Sequence, residues 1–125
     1  MDATFSDKES LLRAVYPPAR KPIFWQNGKL SSAAFKDKKG LSVERTYDRT
    51  IEEAALSMSQ RFVGFIVYVT VSDCKKVNAY VKYCPSSNNK YHSEIHGSEK
   101  SVELNNIQAF ILARSAKIQV NPSMK

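Results

Sequence analysis

The sequence predicts a single α+β domain over residues 1–125, a mainly antiparallel sheet packed by two or three helices. Three observations carry that class. Thr50 with Glu53, and Asn105 with Gln108, are capping-box pairs, and each opens a stretch of helical spacing. A run of β-branched and aromatic residues fills 62–71, as in a central strand covered on both faces. Val77, Ala79, Val81 and Tyr83 then alternate with Asn78, Tyr80 and Lys82, the period of a half-buried strand. A chain of 125 residues can bury a core without disulfide or metal staples.

At the N-terminus, Ser6-Asp7-Lys8-Glu9 reads as a capping box ahead of Leu11, Leu12 and Val15. It predicts a short helix, which Tyr16-Pro17-Pro18 ends. Residues 19–28 form a loop with the aromatic pair Phe24-Trp25 and an Asn27-Gly28 turn. Short strands follow at 29–35 and 41–45, joined as a hairpin by Lys36-Asp37-Lys38-Lys39-Gly40. Thr50 caps a helix over 51–60 with Ile51, Ala54, Ala55 and Met58 on its stripe. The strand at 62–71 turns through Ser72-Asp73-Cys74-Lys75-Lys76 into an antiparallel partner at 77–83. A loop over 84–90 leads to an extended segment at 91–96, which Gly97 stops. The last helix carries Ile107, Phe110, Ile111 and Arg114 on its stripe, a strand follows at 117–120, and 121–125 fray. Helix, strands, helix, three strands, helix is an α+β order.

Composition excludes several function classes. The 42% hydrophobic and 25% charged fractions are those of an ordinary soluble domain. The longest apolar run is broken by Gly64 and is too short to span a bilayer, and the N-terminus lacks a signal-peptide pattern. A cytoplasmic protein with no membrane partner is expected. Cys74 and Cys84 flank one predicted strand, whose extended length sets their Cα atoms on the order of 30 Å apart. They read as free thiols, and neither sits in a C-x-x-C pair. With four glycines the chain has no phosphate-cradling loop, which excludes P-loop ATPases and GTPases and Rossmann dehydrogenases. No cofactor is called for.

The net charge of +7 is unevenly spread. Lys29, Lys36, Lys38, Lys39, Arg45 and Arg49 form one group; Lys75, Lys76, Lys82 and Lys90 form another with no acidic residue among them. This points to a polyanionic partner, RNA, DNA or a nucleotide, with Lys36, Lys38, Lys39, Arg45, Lys75 and Lys76 as the expected contacts. The plainer explanation is a solvated surface that keeps the protein soluble. Phe24-Trp25 either stacks on bases or plugs the edge of the core.

Three local patterns, Leu12-Arg13-x-Val15-x-Pro17, Ser31-Ser32-Ala33-Ala34-Phe35-Lys36 with Leu41-Ser42-Val43-x-Arg45, and His92-x-x-Ile95-x-Gly97, span most of the chain. In these the chain resembles a family of small uncharacterised bacterial proteins. The resemblance implies a bacterial or phage setting and supplies no catalytic residues.

The segment Tyr91-His92-Ser93-Glu94-Ile95-His96-Gly97 holds both histidines with a carboxylate midway. On a strand, His92, Glu94 and His96 share one face, about 7 Å between neighbours and about 13 Å between the outer pair, while Ile95 faces the core. A straight strand cannot bring both histidines to one metal. His92 with Glu94, or Glu94 with His96, can chelate only if another element adds a ligand, so no metal is expected. The spacing also departs from H-E-x-x-H. Acid–base work is the more natural chemistry, since a carboxylate beside histidine fixes its tautomer. A nuclease-like reaction would use His92, Glu94 and His96 with a nearby cation. Arg13, Ser32 and Glu94 also follow the arginine–serine–glutamate order of ADP-ribosyltransferases acting on NAD, although His92 stands where that motif has a second glutamate. A protein-interaction module is the third function class the sequence leaves open.

Overall fold

The structure, a computed structural model, describes residues 4–122. Its strands are β1 (Ser10–Val15), β2 (Trp25–Gln26), β3 (Lys29–Leu30), β4 (Leu41–Arg45), β5 (Phe65–Thr70), β6 (Tyr80–Tyr83), β7 (His92–His96) and β8 (Lys117–Val120). Its helices are α1 (Ile51–Arg61), α2 (Val71–Lys76) and α3 (Asn106–Ser115). Six strands form one antiparallel sheet in the order β6-β7-β4-β1-β5-β8, the α+β class that the sequence predicts. No helix among the described residues is long and apolar enough to cross a membrane.

The sheet is buried on both sides at its centre. On one face Leu11, Val15, Val43, Val67 and Ile95 pack beneath α3 and a 3-10 turn at Ser32–Phe35. On the other, Leu12 and Ile66 pack against Ala54, Ala55 and Met58 of α1, so the predicted helical stripe holds. Helix α1 lies over β1, β5 and β8. The rest of that face, over β4, β7 and β6, carries Ser42, Glu94, His92 and Lys82, which are not buried, together with Glu44 and His96, which are. That half-covered face creates the site described below.

Four expectations are corrected. The N-terminal helix is β1, which pairs with β5 over six residues. Glu9, the would-be capping carboxylate, is taken instead by Arg45 and the Tyr47 amide. Non-local pairing that buries both faces of β1 outweighs a local helix start worth about 1 kcal/mol. The strand at 29–35 is a two-residue strand followed by the 3-10 turn, and β3 pairs with β2 rather than β4. Their hairpin closes through Asn27 and Gly28, at φ 52° and 76°, the left-handed pair that a two-residue turn requires. Residues 72–76 belong to α2, capped by Thr70 with Asp73, so β6 crosses the sheet to pair with β7 and not with β5.

The stripe of α3 is reversed. Gln108, Ala109, Leu112 and Ala113 are buried, while Ile107, Phe110 and Ile111 are exposed. Two alanines let the helix approach the 3-10 turn closely, and the buried Gln108 donates to Val77 O and Gly97 O. The predicted strands at 62–71, 91–96 and 117–120 appear as β5, β7 and β8, and the Asn105 cap is present. Of the residues expected to fray, 123–125 lie outside those described.

Candidate functional site

Strand β7 sets out its side chains as the period of two requires. Ser93 and Ile95 are fully buried, and His92 and Glu94 project from the opposite face. Glu94 stands between the histidines: Oε1 lies 2.7 Å from His96 Nε2, and Oε2 lies 3.7 Å from His92 Nε2. His96 is nearly buried, with the Tyr80 ring 6.3 Å away. Gly40 makes room for this pair. Its φ is 107°, and a Cβ there would collide with the Glu94 carboxylate.

Next to β7, strands β4 and β1 part. Their ladder holds only Leu11↔Arg45 and Leu12↔Glu44, against six pairs between β1 and β5. Arg13 fills the fork, donating from Nε to Ala34 O at 2.9 Å and from Nη1 to Ser42 O at 3.0 Å. A cleft of about 530 Å³ lies here, with Arg13, Arg20, Ser42, Glu44, Arg61 and His92 in its lining. Met58, Phe62 and Val63 line the same cleft from α1 and the segment after it. Through the fork Arg13, which belongs to the α3 face, and His92, on the opposite face, line one cleft, two sequence-predicted site residues from distant parts of the chain.

Glu44, at the cleft edge, is 3% exposed and fully engaged. Arg61 Nη1 lies 2.7 Å from its Oε2, Arg49 Nη2 lies 3.5 Å from Oε1, and Asn89 Nδ2 donates to Oε2 at 3.2 Å. Burial alone would raise its pKa; the Arg61 hydrogen bond and charge, with Asn89 and Arg49, outweigh burial and hold the carboxyl below the usual glutamate range. Arg13 differs. It joins no ion pair among the described residues, and burial lowers its pKa, offset in part by the more distant Asp37.

Cys84 follows β6, its N–H bonded to His92 O at 3.2 Å. Its thiol, His92 and Glu94 present ligand atoms within 4.8 Å of one another. Partial burial pushes the Cys84 pKa up, Glu94 adds to this and Lys82 opposes it. Cys74 is buried in α2, and its thiol is pushed up to about 12, chiefly by burial, which leaves it inert.

The other sequence-predicted residues divide. Ser32 opens the 3-10 turn on the face opposite Glu94, so the arginine–serine–glutamate set does not assemble on one surface. Arg45 is 2% exposed, pairs with Glu9 at 2.7 Å, and sits among the rings of Phe5, Tyr47 and Tyr83, which removes it from any nucleic-acid contact. Lys36 is tied to Leu104 O ahead of α3 and to the Asn106 side chain at its first residue. Lys38, Lys39, Lys75 and Lys76 are exposed, Lys75 beside Asp7. The first two lead into β4, while the last two close α2, where Lys75 pairs with Asp7 just ahead of β1, so the two pairs are not shown to form one face. Trp25 packs on Phe65 with Nε1 bonded to Tyr16 O, so the aromatic pair serves the core edge.

No family model, no curated protein and no solved structure matches the chain. Glu44, Arg61, Arg20, Asn89 and Cys84 are site residues that sequence reasoning missed. Alternation from Tyr80 through Lys82 places Cys84 on one face of its strand, but only the β6–β7 pairing shows that His92 lies beside it.

Proposed function

We propose that the protein binds a phosphate-bearing ligand, a nucleotide or the end of an RNA or DNA strand, in the cleft where β1 and β4 part. Arg13 carries this: a half-buried arginine whose guanidinium is bonded, among the described residues, to two carbonyls, in the lining of a cleft that His92 also lines. A cation so placed gains from an anion supplied from outside, and the planar guanidinium matches phosphate oxygens. Arg20, stacked over Tyr16 at 4.6 Å, and Arg61 add positive charge to the same walls. Lys38 and Lys39 lead into β4 at the open end of the fork, where a longer strand would meet them.

Anisotropy titrations with a labelled nucleotide, a short RNA and a short DNA test this. Binding should weaken steeply as salt rises, because phosphate contacts release counterions. Arg20→Ala, which disturbs no buried contact, should weaken it roughly tenfold, the worth of one charge-assisted hydrogen bond. No salt-sensitive binding by any of the three ligands would reject the proposal.

A second function, phosphodiester hydrolysis, is favoured by the position of Glu94 between His92 and His96. In it His92 transfers the proton at the cleft, the Glu94 charge 3.7 Å away favours the imidazolium that forms, and Arg13 stabilises the developing negative charge. RNA cleavage by the parent, abolished in Glu94→Gln, is the expected outcome; intact RNA with the parent protein ends it.

A further inference from the structure

We propose that Cys84, His92 and Glu94 form a zinc site with one open coordination position. The sequence placed two of these ligands together and lacked a third; the β6–β7 pairing supplies it. Tyr80, Lys82 and Cys84 alternate onto the face that carries His92 and Glu94, and the Cys84 N–H bond to His92 O locks the thiol beside the imidazole. Their ligand atoms fall within 4.8 Å of one another, and all three residues are half-buried. Donor atoms around a tetrahedral Zn²⁺ sit roughly 3.3–3.8 Å apart, given bonds of about 2.0–2.3 Å, so side-chain rotations of about 1 Å close the set.

Two features beyond the three ligands support it. His96, nearly buried, holds the other oxygen of Glu94 at 2.7 Å, as an outer partner orients a metal-binding carboxylate. Gly40 leaves room for that carboxylate, since a Cβ there would collide with it. Thiolate, imidazole and carboxylate together select Zn²⁺ over Mg²⁺ or Ca²⁺, which take oxygen ligands. Three protein ligands leave the fourth position open, the arrangement of catalytic rather than structural zinc. His92 also lines the cleft, so that position lies at the cleft's edge. The site does not depend on phosphate binding, since Arg20 belongs only to the phosphate proposal and Cys84 only to this one; with zinc bound, His92 is a ligand and not the proton carrier of the metal-free hydrolysis.

The test uses the full chain stripped with a chelator. Zn²⁺ titrated against a competing indicator should bind as a single ion per chain. Co²⁺ in its place should give a thiolate charge-transfer band and the visible bands of tetrahedral cobalt. Cys84→Ser should abolish that band, and His96→Asn should weaken Zn²⁺ binding about 10–100-fold. Zn²⁺ should also protect Cys84 of the parent from alkylation, with buried Cys74 silent throughout. Unchanged Zn²⁺ affinity in Cys84→Ser overturns the site. So does an alkylation rate of the parent that excess Zn²⁺ leaves unaltered, a measurement that requires no variant to fold.

Discussion

Arg45 and Arg13 lie on adjacent strands and on the same face of the sheet, yet one is closed into the fold and the other is left facing a cleft. Arg45 has a carboxylate partner, Glu9, which it grips through Nε and Nη2, and three aromatic rings with centroids at 4.1, 4.3 and 4.8 Å. Among the described residues its Nη1 has no hydrogen-bond partner, while Nη2 also donates to Thr4 O at 2.9 Å, and the ring faces and the Glu9 charge offset the desolvation. Tyr47 accepts a left-handed backbone, φ 58°, where its ring stacks on the guanidinium and its amide reaches Glu9. Arg13 has neither carboxylate nor cage. Strand pairing ends beside it, and its guanidinium replaces the missing ladder by bonding two carbonyls. A buried charge completed from within is part of a core; one completed only by neutral acceptors at a cleft is available to a ligand.

The largest expected effect tests the closed side. Glu9→Gln leaves Arg45 charged and unpaired in a dry site, and should cost about 3–5 kcal/mol by chemical denaturation. Replacing both partners at once, Arg45→Met with Glu9→Leu, should recover much of that loss, since no orphaned charge remains. A small cost for Glu9→Gln alone would mean that the aromatic cage satisfies Arg45 without help, and the contrast with Arg13 would fail.

Glu44 ranks next. Glu44→Gln should cost roughly 2 kcal/mol at neutral pH, since hydrogen bonds to a charged group are worth about 1.5–3 kcal/mol. Its pKa is lower in the folded state than in the unfolded chain. The stabilisation is therefore complete above the unfolded value and is lost as pH falls through the folded one. Stability curves of parent and variant, measured from neutral to acid, should converge in the acid limb; a constant gap would show that the charge contributes nothing. Arg13→Met is smaller in stability, about 1–2 kcal/mol, because the two carbonyls it leaves border a cleft that water can enter. Its main effect should be loss of ligand binding, a separation that Glu9→Gln does not share.

How much of this was legible in the sequence follows from the range of the interactions. The α1 stripe, the caps of α1 and α3, and the two faces of β7 rest on contacts within a few residues, and the sequence shows them. The site needs more: the β6–β7 pairing brings Cys84 to His92, and the β1–β4 fork opens the space beside Arg13. Charge counting gave Arg45 and Lys36 to a nucleic acid because composition does not register burial. Helix α3 misled because its sequence offers two apolar faces, and Ala109 and Ala113 won the core by allowing closer approach than Phe110 and Ile111. The capping box at Ser6 was a sound local signal overruled by a distant partner, since Arg45 claimed its glutamate.

The smallest stability effect is expected on the open side, at Glu94. Its side chain is 23% exposed, so its contacts with His92 and His96 are screened by solvent. Glu94→Gln keeps the shape, and the amide can still bond the His96 ring, so the change should cost less than about 1 kcal/mol. The same substitution should strip the protein of Zn²⁺ and of any hydrolytic activity, because a neutral amide neither ligates zinc as a carboxylate does nor stabilises an imidazolium. Thermal melting and metal titration of this one variant, compared with Glu9→Gln, place the two carboxylates on opposite sides of the divide. Glu9 should matter to folding and not to the ligand, Glu94 to the ligand and not to folding. If Glu94→Gln unfolds the domain as readily as Glu9→Gln, the open face is a second core and neither the phosphodiester chemistry nor the zinc site stands.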